Sequence, residues 1–119
     1  MKLLLDNLPP SLTAQRDVIA QCLAKMNEAM PLERVYLFGS HARGEARPDR
    51  DVDLCLVADG ASTQTAAISR FGAAMWDVWP RPSMTLVPIT PARLQEKRTT
   101  GDYFFQTVLN EGVLLATQN

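Results

Sequence analysis

Gly39 to Val57 reads GSHARGEARPDRDVDLCLV, and the fold turns on how that stretch is read. Gly39-Ser40 is followed by ten residues and then by Asp51-Val52-Asp53. The apolar run Val35-Tyr36-Leu37-Phe38 leads into the Gly-Ser pair, and Leu54-Cys55-Leu56-Val57 leaves the aspartates. The pattern predicts a strand, a phosphate-holding turn, a loop, and a second strand that carries two metal ligands.

The first strand, over Arg34–Phe38, is short and continuously apolar, as a strand buried on both faces is. The second is expected over Arg50–Ala58. Side chains alternate along a strand, so Val52, Leu54 and Leu56 point to one face and Asp51 and Asp53 to the other. The two carboxylates then share a face, with Cα atoms about 6–7 Å apart.

Like charges so placed repel each other unless solvent or a cation offsets them. Hard oxygen ligands with open positions suit Mg²⁺, which keeps waters and binds substrate phosphates. Glycine at position 39 lets the backbone approach a phosphate, N–H groups opening a helical turn attract anions, and the Ser40 hydroxyl adds a donor. Arg43, Arg47 and Arg50 put guanidinium groups in the connecting loop, able to clamp phosphate oxygens. A triphosphate held between turn and metal would be oriented for in-line attack. Taken alone, an Asp-x-Asp is commonly a solvated face and a Gly-Ser merely a turn. Their combination on consecutive strands is far more specific.

Outward from this stretch, a helix is expected from Ser11 or Thr13 to Ala29. Leu12, Ile19, Cys22, Leu23, Met26, Ala29 and Met30 form its apolar stripe, and Pro31 ends it. His41 to Glu45 is read as one helical turn. A second helix is expected over Thr63–Trp79, closed by Pro80 and Pro82. Ser83–Ile89 is a third strand in which Pro88 points to an edge or a bulge. Thr90 caps a third helix with Pro91 at its first position. Asp102 caps a last helix that stops at Gly112, and Val113-Leu114-Leu115 is a short closing strand.

Several residues have bland readings. Cys22 and Cys55 are small core residues and not a disulfide framework. His41, the only histidine, can touch phosphate but suits a solvated loop position better. Trp76 and Trp79 are read as core or interface anchors, and Lys97-Arg98 as complement to a helix dipole.

At 119 residues, the chain is expected to form a single domain over 1–119. A formal charge of −1 gives no whole-protein attraction to nucleic acid or anionic membrane. Direct nucleic-acid binding is therefore not expected, and nucleotide chemistry has to come from a local site. The start, MKLLLDNLPP, is too short for a secretory apolar region, and no stretch approaches a membrane span, so a cytoplasmic location is expected.

The central stretch resembles the signature of the minimal nucleotidyltransferases of the DNA polymerase beta superfamily: G-S, ten residues, D-x-D, with Ala42-Arg43-Gly44 matching the accompanying Ala-Arg-Gly. The resemblance covers most of the chain, from the helix before the first strand to Glu111-Gly112-Val113-Leu114-Leu115. It implies an α+β fold, a small mixed or antiparallel sheet flanked by helices. It implies Gly39, Ser40 and Arg43 as the nucleotide-binding residues, and Asp51 and Asp53 as the catalytic residues that bind Mg²⁺. The sequence departs from the family pattern twice. Arg50 replaces the small polar residue that usually precedes the aspartates, and Thr85 stands where a later strand usually carries a third carboxylate. Asp77 is the nearest other carboxylate in sequence, at a helix end that suits a structural role.

The resemblance implies transfer of a nucleoside monophosphate, AMP from ATP, to a hydroxyl with release of pyrophosphate. Larger members build the acceptor pocket from an added domain, so here a second copy or another protein is expected to supply it. By the same resemblance, small proteins of this kind often act as antitoxins that pair with a helical HEPN-domain ribonuclease and adenylylate it on tyrosine. The alternative is a catalytically weakened nucleotide-binding module that neutralises its partner by contact, which Thr85 favours. A small-molecule enzyme of the aminoglycoside-modifying sort, working as a dimer, is a weaker third reading.

Overall fold

In the computed structural model, which describes residues 1–118, five strands form one mixed sheet in the order β1-β5-β2-β3-β4. The strands are β1 (Lys2–Leu3), β2 (Arg34–Phe38), β3 (Val52–Val57), β4 (Met84–Ile89) and β5 (Val113–Thr117). The helices are α1 (Arg16–Ala29), α2 (Gly39–Ala42), α3 (Gln64–Ala74), α4 (Pro91–Thr100) and α5 (Tyr103–Glu111). β2 pairs antiparallel with both β3 and β5, while β3 and β4 run parallel, joined by the crossover through α3. The expected α+β architecture, a small mixed sheet flanked by helices, is the one found.

Alternation along β2 and β3 splits the core into two layers. Val35, Leu37, Val52, Leu54 and Leu56 join Ile19, Leu23 and Met26 of α1 and Phe71 of α3 on one side. Cys55 and Val57 meet Leu94, Phe105 and Val108 of α4 and α5 on the other. Burying each large apolar side chain contributes about 1.5–3 kcal/mol. The predicted α1 stripe is therefore the right one, although Pro10–Gln15 forms a 3-10 segment before the α-helix begins. At the exit from α1, the Asn27 side-chain oxygen accepts from the Leu32 N–H at 2.9 Å, which turns the chain past Pro31 into β2.

The predicted caps hold. Thr90 Oγ1 accepts from the Arg93 N–H at 3.1 Å, and Asp102 accepts from the Phe105 N–H at 3.0 Å. Gly101, at φ +74°, closes α4: the Asp102 N–H donates to the Lys97 carbonyl and the Gly101 N–H to that of Arg98. β4 is an edge strand, as Pro88 indicated. Val52 N–H donates to Ser83 O and Ala58 N–H to Ile89 O, so the odd-numbered peptide groups of β4 face β3. Pro88 falls between them, and its missing N–H lies on the outer side.

Two expectations need correcting. The helix read over Thr63–Trp79 ends at Ala74, because the Arg81 guanidinium donates to the carbonyls of Met75 (3.1 Å) and Val78 (3.0 Å) and holds that segment in turns. Trp76 and Trp79 are consequently 78 % and 81 % exposed, which excludes a core role. The strand read from Arg50 starts at Val52, because the Arg50 N–H bonds to Arg47 O and its carbonyl to His41, closing a loop instead of entering the ladder. The sequence also gave no sign of β1. Among the described residues, no helix is long and apolar enough to cross a membrane.

Candidate active site

Register across the sheet places Phe38, Asp53 and Thr85 in one row, on the face covered further along by α4 and α5. Phe38 passes directly into Gly39 at φ +77°. That left-handed turn starts α2 beside the Asp53 carboxylate: a Cβ on Gly39 would collide with it. A backbone without a side chain is therefore what lets the Gly-Ser turn and the second strand come together.

An open cleft of about 400 Å³ lies at this end of the sheet, lined by Ser40, Arg47, Asp49, Arg50, Asp51 and Asp53. Asp51 is exposed just ahead of β3, and Asp53 is half-buried within it. Both carboxylates reach the same cleft, as their alternation required. Ser40, Arg47 and Arg50 line it with them.

Arg43 is held elsewhere. Its Nε donates to Glu45 Oε1 at 2.6 Å, and its Nη1 lies 3.7 Å from Glu111 Oε2. Of the residues expected to bind nucleotide, Ser40 lines the cleft, Gly39 backs onto Asp53, and Arg43 is directed toward α5. Asp49, in the loop between Ser40 and Asp51, also lines the cleft and lies 3.6 Å from Arg47.

His41 is neither on a phosphate path nor in a solvated loop. It is 1 % exposed, because the 3-10 segment around Ser11 folds over it.

Burial pushes the Asp53 carboxyl above the ordinary carboxylate range. The Thr85 hydroxyl beside it works in the opposite sense, the Asp51 charge adds to the rise, and His41 and Arg43 oppose it. Folded protein thus holds this proton more tightly than unfolded chain. Stability falls as pH rises from the ordinary value through the raised one, and the penalty is fully present above it. Asp53→Asn in metal-free protein should flatten this slope and raise the neutral-pH thermal midpoint, read by unfolding scans from about pH 4 to pH 7. A variant no more stable than wild type at the upper end would contradict it.

Can these groups hold a divalent cation? Two carboxylates share one cleft with Ser40, and one of them carries a desolvation cost that a cation would relieve. That oxygen set fits Mg²⁺, which takes one or two carboxylates and completes its shell with water and phosphate. Among the described residues, no three His, Cys, Asp or Glu side chains converge. The row position beside Asp53 belongs to Thr85, as the sequence indicated.

A family model for the nucleotidyltransferase domain matches residues 18–112. The chain belongs to that family. The match runs from α1 to the end of α5 and takes in the whole cleft. The solved structure of a candidate nucleotidyltransferase from Sulfolobus solfataricus superposes with a TM-score of 0.53 at 22 % identity, covering 72 % of this chain and 76 % of the other. That likeness concerns the fold. No curated protein matches the chain. Membership makes general nucleotidyl transfer from a nucleoside triphosphate the activity of this nucleotidyltransferase domain, and domains of this kind generally use divalent metals.

Proposed function

We propose that the domain transfers AMP from ATP to a protein hydroxyl, a tyrosine of a HEPN-type partner, with Asp51 and Asp53 as the metal ligands. One observation carries the reading: the two carboxylates, Ser40, Arg47 and Arg50 line a single cleft. N–H groups in the first turn of α2 have no partner four residues back, so Ser40 and its neighbours are free to meet phosphate oxygens. The two guanidinium groups hold the remaining phosphate charge. Mg²⁺ on Asp51 and Asp53 would supply charge neutralisation at the phosphates. The acceptor oxygen forms a bond to the α-phosphorus while the bond to the β-phosphate bridging oxygen breaks, and pyrophosphate leaves with that electron pair. The acceptor proton passes to water, since Thr85 offers no base. The HEPN-type partner is taken from the family resemblance, and a cytoplasmic setting is part of the same proposal.

Thr85 favours a second reading, a module that binds nucleotide but neutralises its partner by contact. The two part in one experiment. Protein incubated with ATP labelled on the α-phosphate, Mg²⁺ and candidate HEPN proteins is expected to move label onto partner tyrosine. Neutralisation without label transfer would establish the contact reading.

A further inference from the structure

We propose that His41 is a positioning residue that sets the gap between Ser40 and Asp51; the inference rests on the triphosphate reading of the cleft. Its imidazole is the one buried polar or charged side chain among the described residues. Nε2 lies 2.9 Å from the Arg50 carbonyl oxygen, and Nδ1 lies 2.8 Å from Ser11 Oγ. A carbonyl can only accept, so Nε2 carries a proton and donates it. Burying an imidazole is costly unless both nitrogens are satisfied, and here both are.

The placement of these bonds gives them a consequence beyond packing. His41 is the residue after Ser40, and Arg50 is the residue before Asp51. The hydrogen bond between them therefore joins the immediate neighbours of two candidate ligand-binding residues. It closes a loop whose residues from Arg43 to Arg50 are almost all exposed. Ser11 then ties the ring to the 3-10 segment before α1, whose Leu12 is fully buried. Without the clamp, the loop between Ser40 and Asp51 could relax, and the spacing that a phosphate chain must match would no longer be fixed. An error of about 1 Å in such a spacing can cost about 100-fold in rate.

Two amide substitutions separate the clamp from mere filling of space. The Gln side-chain nitrogen reaches where ring Nε2 was, while that of Asn reaches only the Nδ1 position. Mn²⁺-dependent ATP binding, followed by calorimetry, is expected to weaken about tenfold or more in His41→Asn. His41→Gln is expected to remain within about threefold of wild type. Amide hydrogen exchange at residues 50–53 should quicken in His41→Asn and not in His41→Gln, whereas thermal midpoints should fall alike in both. Equal affinity and equal exchange in the two variants would overturn the proposal. Should neither fold, Ser11→Ala keeps the ring and frees its second nitrogen. It is expected to weaken binding about threefold and speed the same exchange, and wild-type behaviour in both readouts would be equally fatal. If wild type binds no Mn²⁺–ATP, the cleft reading fails, and the exchange comparison still decides the clamp.

Discussion

Asp51→Asn/Asp53→Asn is expected to weaken Mn²⁺-dependent ATP binding by more than about 100-fold, the upper end of what loss of an outer-shell partner costs a metal site. The amides keep the shape of the carboxylates and remove the charge that draws a divalent cation. Folding should not suffer, because Asp53 is a desolvated acid whose carboxyl is pushed upward by burial and by Asp51. The expected result is thus a protein at least as stable as wild type that no longer responds to metal and nucleotide. Calorimetric titration and thermal unfolding on the same samples read both halves. Undiminished ATP affinity in the double variant would remove the carboxylates from the site. If such a variant also still neutralised a partner, contact would explain the biology.

Gly39→Ala should damage both the fold and the cleft. Its backbone sits at φ +77°, where an L-residue costs about 1–2 kcal/mol. The added Cβ also meets the Asp53 carboxylate, which has to swing away from the turn or push the turn outward. Gly44 provides the matched control: its φ is +73°, and no atom lies within 4 Å of a Cβ built there. Gly44→Ala should therefore lose only the backbone contribution, about 1–2 kcal/mol in urea unfolding, with little change in ATP binding. Gly39→Ala should lose at least as much stability and about 100-fold in ATP affinity as well. Equal affinities in the two variants would mean that the proximity of Gly39 to Asp53 has no role in binding.

Much of this architecture was legible in the sequence because its signals are local. The α1 stripe, the Thr90-Pro91 and Asp102 caps, the edge character of Pro88 and the shared face of Asp51 and Asp53 each follow from residues within a few positions of one another. What escaped depends on polar side-chain contacts and loop paths that hydrophobic patterning does not encode. His41 looked like a loop residue because Ser11, 30 positions away, folds over it. Arg43 has an ion pair with Glu45, two residues on, and lies 3.7 Å from Glu111, whose approach nothing in the local sequence shows. The helix through Trp79 looked continuous because Arg81, beyond the break, supplies the donors that end it. Asp49 reaches the cleft through the path of a loop, and hydrophobic patterning does not encode such a path.

β5, last in the described chain, lies between β1 and β2 and is not at a rim. On a ribosome, the hairpin of β2 and β3, with its glycine turn and acidic strand, emerges well before the neighbour that β2 awaits. The 60 residues separating Val57 from Thr117 take about 3–12 s to synthesise at 5–20 residues per second. Throughout that interval the nascent chain presents an unpaired β2 edge, open to pairing with another strand until β5 slots in.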